Sequence, residues 1–241
     1  MRIDLLLVER GLAESRNRAQ RLVMAGEVRV DGEMIHKPSS LVNEDAKIEV
    51  KTPPKYVSRG GHKIEAALAA FEVTVAGKVC GDVGASTGGF TDCLLQNGAV
   101  KVYAIDVGYG ILHWKLRQDP RVVVMERTNA RYVDSLPESV ELVVIDASFI
   151  SLGLILPAVK EWFADEGGQT VALIKPQFEA GRKAAAVHAG VIKDEAVHRK
   201  VLRDTLDEAL NLGFWPGGLI AAPIRGPKGN GEFFVDLRLE K

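Results

Sequence analysis

Five apolar runs recur along the chain after residue 78, each of a length suited to a single strand. They occupy residues 79–83, 100–105, 122–124, 142–145 and 171–174. Most of their residues are apolar and many are β-branched, which is typical of strands that are covered on both faces. Strands of this kind alternating with helical patterns predict an α/β fold with a mostly parallel sheet.

The C-terminal part of the chain predicts a different kind of strand pairing. Apolar runs at 219–222 and 233–237 are joined by a segment rich in glycine and proline. Such a connection favours an antiparallel pair, which we place at the edge of the sheet. The whole region is therefore predicted to be a Rossmann-type domain, with a mostly parallel, doubly wound sheet and an antiparallel edge strand.

The first 50 residues predict a separate, small α+β unit. A helical pattern over 4–11 precedes a second helix that Ser15 could cap, and an alternating strand at 28–30 leads into the turn dipeptide Asp31-Gly32. A unit of this size has a small core, and consecutive prolines follow it. The predicted division of the chain is 1–51 for the small domain, 52–58 for a linker and 59–241 for the larger domain.

Composition excludes several classes of protein. No apolar run approaches the ~20 residues that span a bilayer, and the apolar stretch near the N-terminus is too short for a signal peptide. Cys80 and Cys93 cannot build a disulfide framework, and neither has the neighbours of a zinc site. We therefore expect a cytoplasmic protein with no bound metal and no membrane partner.

A glycine-rich loop, residues 84–88, follows the first strand of the predicted sheet and opens a helix. A dinucleotide fingerprint would need glycine where Ser86 stands, so that pyrophosphate could approach the backbone. A nucleophile elbow matches G-x-S-x-G literally and could recruit Asp146 with His188 or His198. Glycines serving only tight packing are a third interpretation. Asp106, at the end of the second strand, is placed to receive ribose hydroxyls and favours S-adenosylmethionine as the ligand.

Four polar residues stand at the ends of predicted elements, where a packed core does not require them. Asp146 and Lys175 end two apolar strands, on the edge of the sheet where the glycine loop lies. Ligands bind at this edge in doubly wound folds. Lys63 and Glu232 complete the set, and each of the four taken alone could be an ordinary surface charge.

The set Lys63, Asp146, Lys175 and Glu232 resembles the K-D-K-E tetrad of the FtsJ/RrmJ-type RNA 2′-O-methyltransferases. Longer strings resemble the TlyA family, which joins an S4 RNA-binding domain to this catalytic domain. They cover nearly the whole chain in the family's order. The matching segments are residues 15–19, 26–32, 58–63, 84–91, 106–110, 126–131, 148–152 and 175–179.

The resemblance implies S-adenosylmethionine-dependent 2′-O-methylation of a ribose, in cytidine of ribosomal RNA. The tetrad is then the catalytic set, with Lys175 activating the hydroxyl as a neutral amine or by stabilising an alkoxide. Asn129 is expected near the adenine, although a turn asparagine would fit the same spacing. The residues expected to contact the cofactor are Gly84, Ala85, Ser86, Thr87, Gly88, Asp106, Val107, Asn129 and Asp146.

The same resemblance implies that Arg16, Arg18, Arg21 and Arg59 contact RNA, where phosphates are the usual partners of arginine. A solvated helix face is the ordinary alternative for these arginines. The chain begins close to the first helix and ends after the last strand, which resembles the shorter branch of the family. That branch is associated with large-subunit RNA only. A non-catalytic RNA- or ribosome-binding protein and a membrane-active hemolysin remain the alternative functions.

Overall fold

The computed structural model describes residues 1–51, 54–180, 191–226 and 229–240. Two compact units divide the chain, Met1–Pro54 and Lys55–Lys241. Part of the predicted linker and His188, which one hypothesis used in a catalytic triad, lie outside the described residues.

Two helices and a three-stranded antiparallel sheet form the N-terminal unit. The sheet has the order β2-β1-β3. Asp31 and Gly32 join β1 to β2 with φ angles of 50° and 87°, and positive φ at both positions is what a type I′ hairpin turn requires. The elements are α1 (Ile3–Glu9), α2 (Arg16–Met24), β1 (Val28–Val30), β2 (Glu33–Met34) and β3 (Ile48–Val50).

The predicted cap and core of the second helix are confirmed. Ser15 Oγ accepts a hydrogen bond from the Arg18 backbone N–H at 3.3 Å, which satisfies one of the free donors at the start of α2. The helix buries Ala19, Leu22 and Val23 against the rest of the unit's core. Helical spacing of apolar residues therefore fixes which face of α2 points inward.

A fully buried carboxylate, that of Asp4, ties the two helices together. It accepts hydrogen bonds from Arg2 at 3.0 and 2.9 Å, from Arg16 at 3.0 Å and from Gln20 at 2.9 Å. The hydrogen bond from Arg2 is the largest cause that holds the pKa of Asp4 well below its ordinary value, against the opposing effect of burial. A buried charge is tolerated when it is paired in this way.

A seven-stranded sheet with the order β6-β5-β4-β7-β8-β10-β9 forms the larger unit. The strands from β4 to β8 pair in parallel. The strands are β4 (Val79–Val83), β5 (Lys101–Ile105), β6 (Val122–Met125), β7 (Leu142–Ile145), β8 (Gly168–Ile174), β9 (Phe214–Ala221) and β10 (Phe233–Leu239). The helices are α3 (Gly60–Ala70), α4 (Gly89–Gln96), α5 (Trp114–Arg117), α6 (Leu156–Trp162), α7 (Pro176–Glu179) and α8 (Glu195–Asn211).

Both faces of this sheet are buried, which explains why its strands are apolar without alternation. In β7, Val143 and Ile145 belong to one hydrophobic cluster, whereas Leu142 and Val144 belong to another. The first cluster includes residues of α6 and α8, and the second includes residues of α3 and α4. Successive side chains of a strand point to opposite faces, so helices on both faces demand an apolar residue at every position.

The predicted antiparallel pair is confirmed, with two differences in detail. The reversed strand is β10, which lies between β8 and the edge strand β9. Strand β9 also begins at Phe214, five residues before the predicted start at Leu219. The sequence did not predict this part of the strand because Pro216 lies within it, and proline is unusual inside strands. An edge position tolerates proline because one side of the strand needs no ladder hydrogen bond.

Replacing Asp4 by asparagine tests the buried carboxylate of the N-terminal unit. We expect the free energy of opening of α2 at pH 7 to fall by about 2 kcal/mol. The reason is that the partly exposed arginines lose their charged partner. Hydrogen exchange of the α2 amides measures this loss. Trp114, Trp162 and Trp215 all belong to the larger unit, so their fluorescence is an internal control.

The lowered pKa of Asp4 also predicts how the exchange of the α2 amides changes with pH. A lowered pKa means that the wild-type carboxylate stabilises the unit fully above about pH 4, and that this contribution declines as the pH falls further. The difference between wild type and Asp4→Asn should therefore shrink on acidification. A difference that is unchanged from pH 7 to pH 2 would show that Asp4 has no electrostatic role.

Candidate active site

The predicted polar residues lie at the carboxyl edge of the sheet, near the point where the strand order changes direction. Strand β4 is central, with β5 and β6 on one side and β7 and β8 on the other. Val83 and Ile145, the last residues of β4 and β7, are partners in register. The glycine loop after β4 therefore lies beside Asp146, at the switch point that binds ligands in doubly wound folds.

Gly84 packs closely against the loop that follows β7. Its φ is +83°, and a Cβ at this position would lie 2.7 Å from the backbone oxygen of Asp146. Any other residue would have to adopt a left-handed conformation and displace a backbone carbonyl. The packing of the loop against β7 therefore requires glycine here.

The rest of the glycine loop is held by Asp106. The carboxylate of Asp106 accepts hydrogen bonds from the backbone N–H groups of Ser86 at 2.8 Å and Gly108 at 2.7 Å. Ser86 has a φ of 50° and is exposed. A carboxylate has about four acceptor positions, so Asp106 retains capacity for ligand hydroxyls.

The other predicted cofactor residues lie along the same edge or on the neighbouring loops. Ala85 and Gly88 are buried, whereas Thr87 and Val107 are exposed. Asn129 caps a short 3₁₀ turn, with its side-chain oxygen accepting from the Arg131 N–H at 3.1 Å. The asparagine therefore serves the turn, and its amide group remains exposed.

Lys175 lies among three oxygens at the end of β8. Its Nζ is 2.5 Å from Asp146 Oδ1, and it donates to Ser148 Oγ at 2.9 Å and to the Asp146 backbone oxygen at 3.3 Å. The Lys175 side chain is 9% exposed. Three oxygens match the three N–H groups of an ammonium, so the direction of the side chain is well defined.

Lys63 and Glu232 form a second ion pair, which is more deeply buried. Lys63 Nζ donates to Glu232 Oε2 at 2.6 Å, with side-chain exposures of 7% and 0%. Lys63 lies in the first turns of α3, where Gly61 allows the Tyr56 ring to pack against the backbone: a Cβ on Gly61 would lie 2.2 Å from that ring. This close packing fixes the position of the helix that carries Lys63.

The sheet register brings the two ion pairs together. Phe233 of β10 is paired with Ile174 of β8 in an antiparallel ladder. Glu232 and Lys175 each lie one residue beyond this last pair of the ladder, Glu232 before β10 and Lys175 after β8. The two ion pairs, Lys63–Glu232 and Asp146–Lys175, are therefore carried at neighbouring ends of adjacent strands.

The geometry gives no support to a nucleophile elbow. Asp146 is paired with Lys175, whereas His198 Nε2 lies 3.0 Å from the backbone oxygen of Ile192 and its ring packs against Phe233. The carboxylate and the described histidine of the hypothetical triad therefore have other partners.

Sequence reasoning missed two polar residues at this edge. One is Ser148, two positions after Asp146, whose hydroxyl binds Lys175. The other is Asp82, which is fully buried in β4 and accepts a hydrogen bond from Thr91 Oγ1 at 2.5 Å. Burial raises the pKa of Asp82 to about 7. An acidic residue inside an apolar strand was the available signal for Asp82.

The predicted RNA-binding arginines have different surroundings. Arg16 donates to Asp4 while about half of its side chain stays exposed. Arg18 is half-buried and Arg21 is exposed, both on α2, and Arg59 is exposed at the start of α3. Arg16 thus has a structural contact in addition to any contact with RNA.

Two features are absent from the residues that the structure describes. No group of three or more histidine, cysteine, aspartate or glutamate residues there could hold a metal ion. No helix in the described ranges is long and apolar enough to cross a membrane.

The larger unit has the fold of the Rossmann-type S-adenosylmethionine-dependent methyltransferases. A solved methyltransferase of this class from Mesorhizobium loti matches it with a TM-score of 0.51 and 14% identity, over 72% of this chain and 96% of that one. The family model for FtsJ-like methyltransferases matches residues 56–239, and the model for S4 domains matches residues 1–48. The chain therefore belongs to the FtsJ-like methyltransferase family and carries an S4 domain at its N-terminus.

Two further relatives cover almost the whole chain. The 16S/23S rRNA (cytidine-2′-O)-methyltransferase TlyA of Mycobacterium tuberculosis is 46% identical over 99% of this chain and 90% of its own length. A solved structure from Streptococcus thermophilus, described as that of a hemolysin candidate, is 46% identical, with a TM-score of 0.74 over 99% of this chain and 88% of that one.

Replacing Gly84 by alanine tests the close contact between the two loops. We expect affinity for S-adenosylmethionine to fall about tenfold or more, because the Cβ displaces the Asp146 carbonyl and forces strain on the loop. Isothermal titration measures the affinity. Gly77→Ala is the matched control, since Gly77 also has a positive φ, +82°, but an added Cβ there meets nothing within 4 Å. An equal loss of affinity in both variants would contradict a role for the contact between Gly84 and Asp146.

Proposed function

We propose that this protein transfers a methyl group from S-adenosylmethionine to the ribose 2′-hydroxyl of a cytidine in ribosomal RNA. The observation that supports the proposal is the presence of two ion pairs, Lys63–Glu232 and Asp146–Lys175, at the ends of adjacent strands, with Asp146 beside the glycine loop. The name of the M. tuberculosis relative, at 46% identity, supports the choice of nucleotide and RNA.

The residues of the glycine loop fit S-adenosylmethionine better than a dinucleotide. Serine replaces the glycine that would let pyrophosphate approach, while Gly84 keeps the loop close to β7. Asp106 supplies a carboxylate for ribose hydroxyls. When bound, S-adenosylmethionine supplies a methyl group on a positively charged sulfur, which is electrophilic without further activation.

The chain's own contribution is to place and polarise the ribose hydroxyl. A 2′-hydroxyl is a weak nucleophile, so a cationic donor aimed at its oxygen stabilises the negative charge that develops during attack. Lys175 is that donor, and Asp146 Oδ1 with Ser148 Oγ sets its direction. The N–H that makes the long contact of 3.3 Å with the Asp146 backbone oxygen is the one that turns to the hydroxyl. The hydroxyl proton passes to water as the oxygen gains its new bond to carbon. Lys63, held by Glu232, adds a second positive charge within a buried environment, where electrostatic interactions are stronger than in water.

The S4 domain is proposed to bind the RNA substrate. Arg16, Arg18 and Arg21 lie on α2, and arginine is suited to phosphate because its guanidinium can donate two parallel hydrogen bonds. Such contacts fix the position of the RNA without reading its sequence.

The ribosomal subunit that serves as substrate is a separate question. The sequence resembles the branch associated with large-subunit RNA, whereas the M. tuberculosis relative is named for both 16S and 23S RNA. Activity on the large subunit alone stays a prediction. Mapping of 2′-O-methyl sites in both RNAs of treated ribosomes would decide it.

A membrane-active hemolysin is the alternative that the name of the S. thermophilus relative brings forward. Leakage of dye from phosphatidylcholine–phosphatidylglycerol liposomes, measured with the pure protein, tests it directly. We expect no leakage at concentrations that methylate RNA.

Replacing Lys175 by alanine tests the reaction and its central residue. We expect methyl transfer to ribosomal RNA to fall about 10²- to 10⁴-fold, which is the usual contribution of a positioned donor or base. Labelled methyl groups incorporated into ribosomes, separate subunits and naked RNA are counted. Lys193→Ala, which removes an exposed lysine, should have little effect. Full activity of Lys175→Ala would remove Lys175 from the catalytic set.

Reversing the charge of Arg18 tests the RNA-binding face of α2. We expect Arg18→Glu to weaken RNA binding about tenfold, since it replaces attraction to phosphate by repulsion. Affinity for S-adenosylmethionine should be unchanged. Filter binding at two salt concentrations measures the RNA affinity, with the exposed Arg203→Glu as control. Equal losses of RNA and cofactor binding would point to a folding defect instead.

A further inference from the structure

Two sequence motifs contain polar residues that the proposed reaction does not use. The loop at 146–152 contributes Asp146 and Ser148, and the segment at 175–179 contributes Lys175. Among the remaining polar groups, those of Ser151 and Leu152 in the loop both donate hydrogen bonds to Glu179 in the other segment. The two motifs are therefore parts of one structure, which extends beyond the catalytic residues.

Glu179 joins the two segments with both of its carboxylate oxygens. Oε2 accepts from the Ser151 hydroxyl at 2.6 Å, and Oε1 accepts from the Leu152 backbone N–H at 2.8 Å. Burial raises the pKa of this carboxyl group, and Glu179 lines a small cavity together with Ile150 and Leu152 among others. Two hydrogen bonds to adjacent residues of one loop fix both its position and its orientation.

The loop held by Glu179 contains strained backbone, so it needs other contacts to keep its conformation. Phe149 has a φ of 65°, an unfavourable conformation for a residue with a side chain, and the residue as a whole is 89% exposed. Its ring packs against Phe178 with centroids 4.8 Å apart. Strained backbone of this kind persists only when surrounding contacts hold it, and the Glu179 carboxylate supplies two of those contacts.

The position of this loop affects the active site, because the loop also carries Ser148. Ser148 precedes Phe149, and its hydroxyl accepts one of the N–H groups of Lys175 at 2.9 Å. If the loop moves, this acceptor moves with it. Lys175 then has one fewer oxygen defining the direction of its donors.

We propose that Glu179 is a positioning residue of the methyl-transfer site, which clamps the 146–152 loop and thereby sets Ser148 against Lys175. The inference rests on the proposed function, because Lys175 matters only if it acts on the ribose hydroxyl. Glu179 itself touches neither substrate nor cofactor in this scheme.

Kinetics of three single variants test the clamp. Glu179→Ala should lower kcat for methyl transfer about 10- to 100-fold, since a displacement of about 1 Å can cost this much, while the Kd for S-adenosylmethionine changes less than twofold. Glu179→Gln should retain most activity, because an amide can accept from Leu152 and donate to Ser151. Glu141→Ala is the matched control: Glu141 accepts the Val79 N–H at 2.7 Å at the opposite edge of the sheet.

A double-mutant cycle separates positioning from a general loss of stability. Ser148→Ala alone should lower kcat, and adding Glu179→Ala should then cost much less than it does in the wild type, because both changes act on the same contact. Losses that simply multiply would overturn the proposal, as would equal kcat for Glu179→Ala and wild type. An unchanged melting temperature of Glu179→Gln shows that the rescue variant is folded.

Hydrogen exchange without any substrate gives a reading that is independent of activity. Glu179→Ala should speed exchange of the Leu152 amide at least tenfold, while amides of β4 exchange as in the wild type. If the wild-type protein methylates no RNA, the proposed function fails, and this exchange still decides whether the clamp exists. Unchanged exchange at Leu152 would overturn the clamp even in an active enzyme.

Discussion

The buried ion pair between Lys63 and Glu232 is the interaction on which the rest of the site depends. The two residues are 169 positions apart, and both side chains are almost completely removed from water. Neither charge could be buried alone without a large penalty, so each segment of the fold requires the other. The pair fixes the first turns of α3 to the start of β10, and β10 in turn lies along β8, which carries Lys175.

The parallel pairing of β4 with β7 provides the second constraint. It brings the glycine loop to the residue that binds Lys175, with Gly84 packed against the Asp146 carbonyl. The loop proposed to bind the cofactor and the residue that pairs with Lys175 are thus joined by one backbone contact. Both lie at the ends of neighbouring strands, and rigid elements of this kind can hold reacting groups within the small tolerance that catalysis needs.

Much of the fold was predictable, because the local sequence pattern of these segments agrees with the position that each occupies in the folded protein. Apolar runs without alternation require a sheet that is covered on both faces, and Asp31-Gly32 requires a tight hairpin. The edge strand β9 was harder, since Pro216 obscured its first half until pairing with β10 was known. The four tetrad residues were identified through resemblance to a family, because spacing alone could not distinguish any one of them from a surface charge.

The sequence by itself determined the two-part organisation, the glycine loop and the identity of the four catalytic candidates, because these depend on residue type and order. Only the tertiary structure decided that Asp82 is buried with Thr91, that Arg16 is bound to Asp4, and that Ser148 and Glu179 belong to the surroundings of Lys175. The physical reason is that burial, pairing and hydrogen bonding of a polar group depend on segments distant in sequence. A polar residue's role therefore becomes definite only when the chain is folded around it.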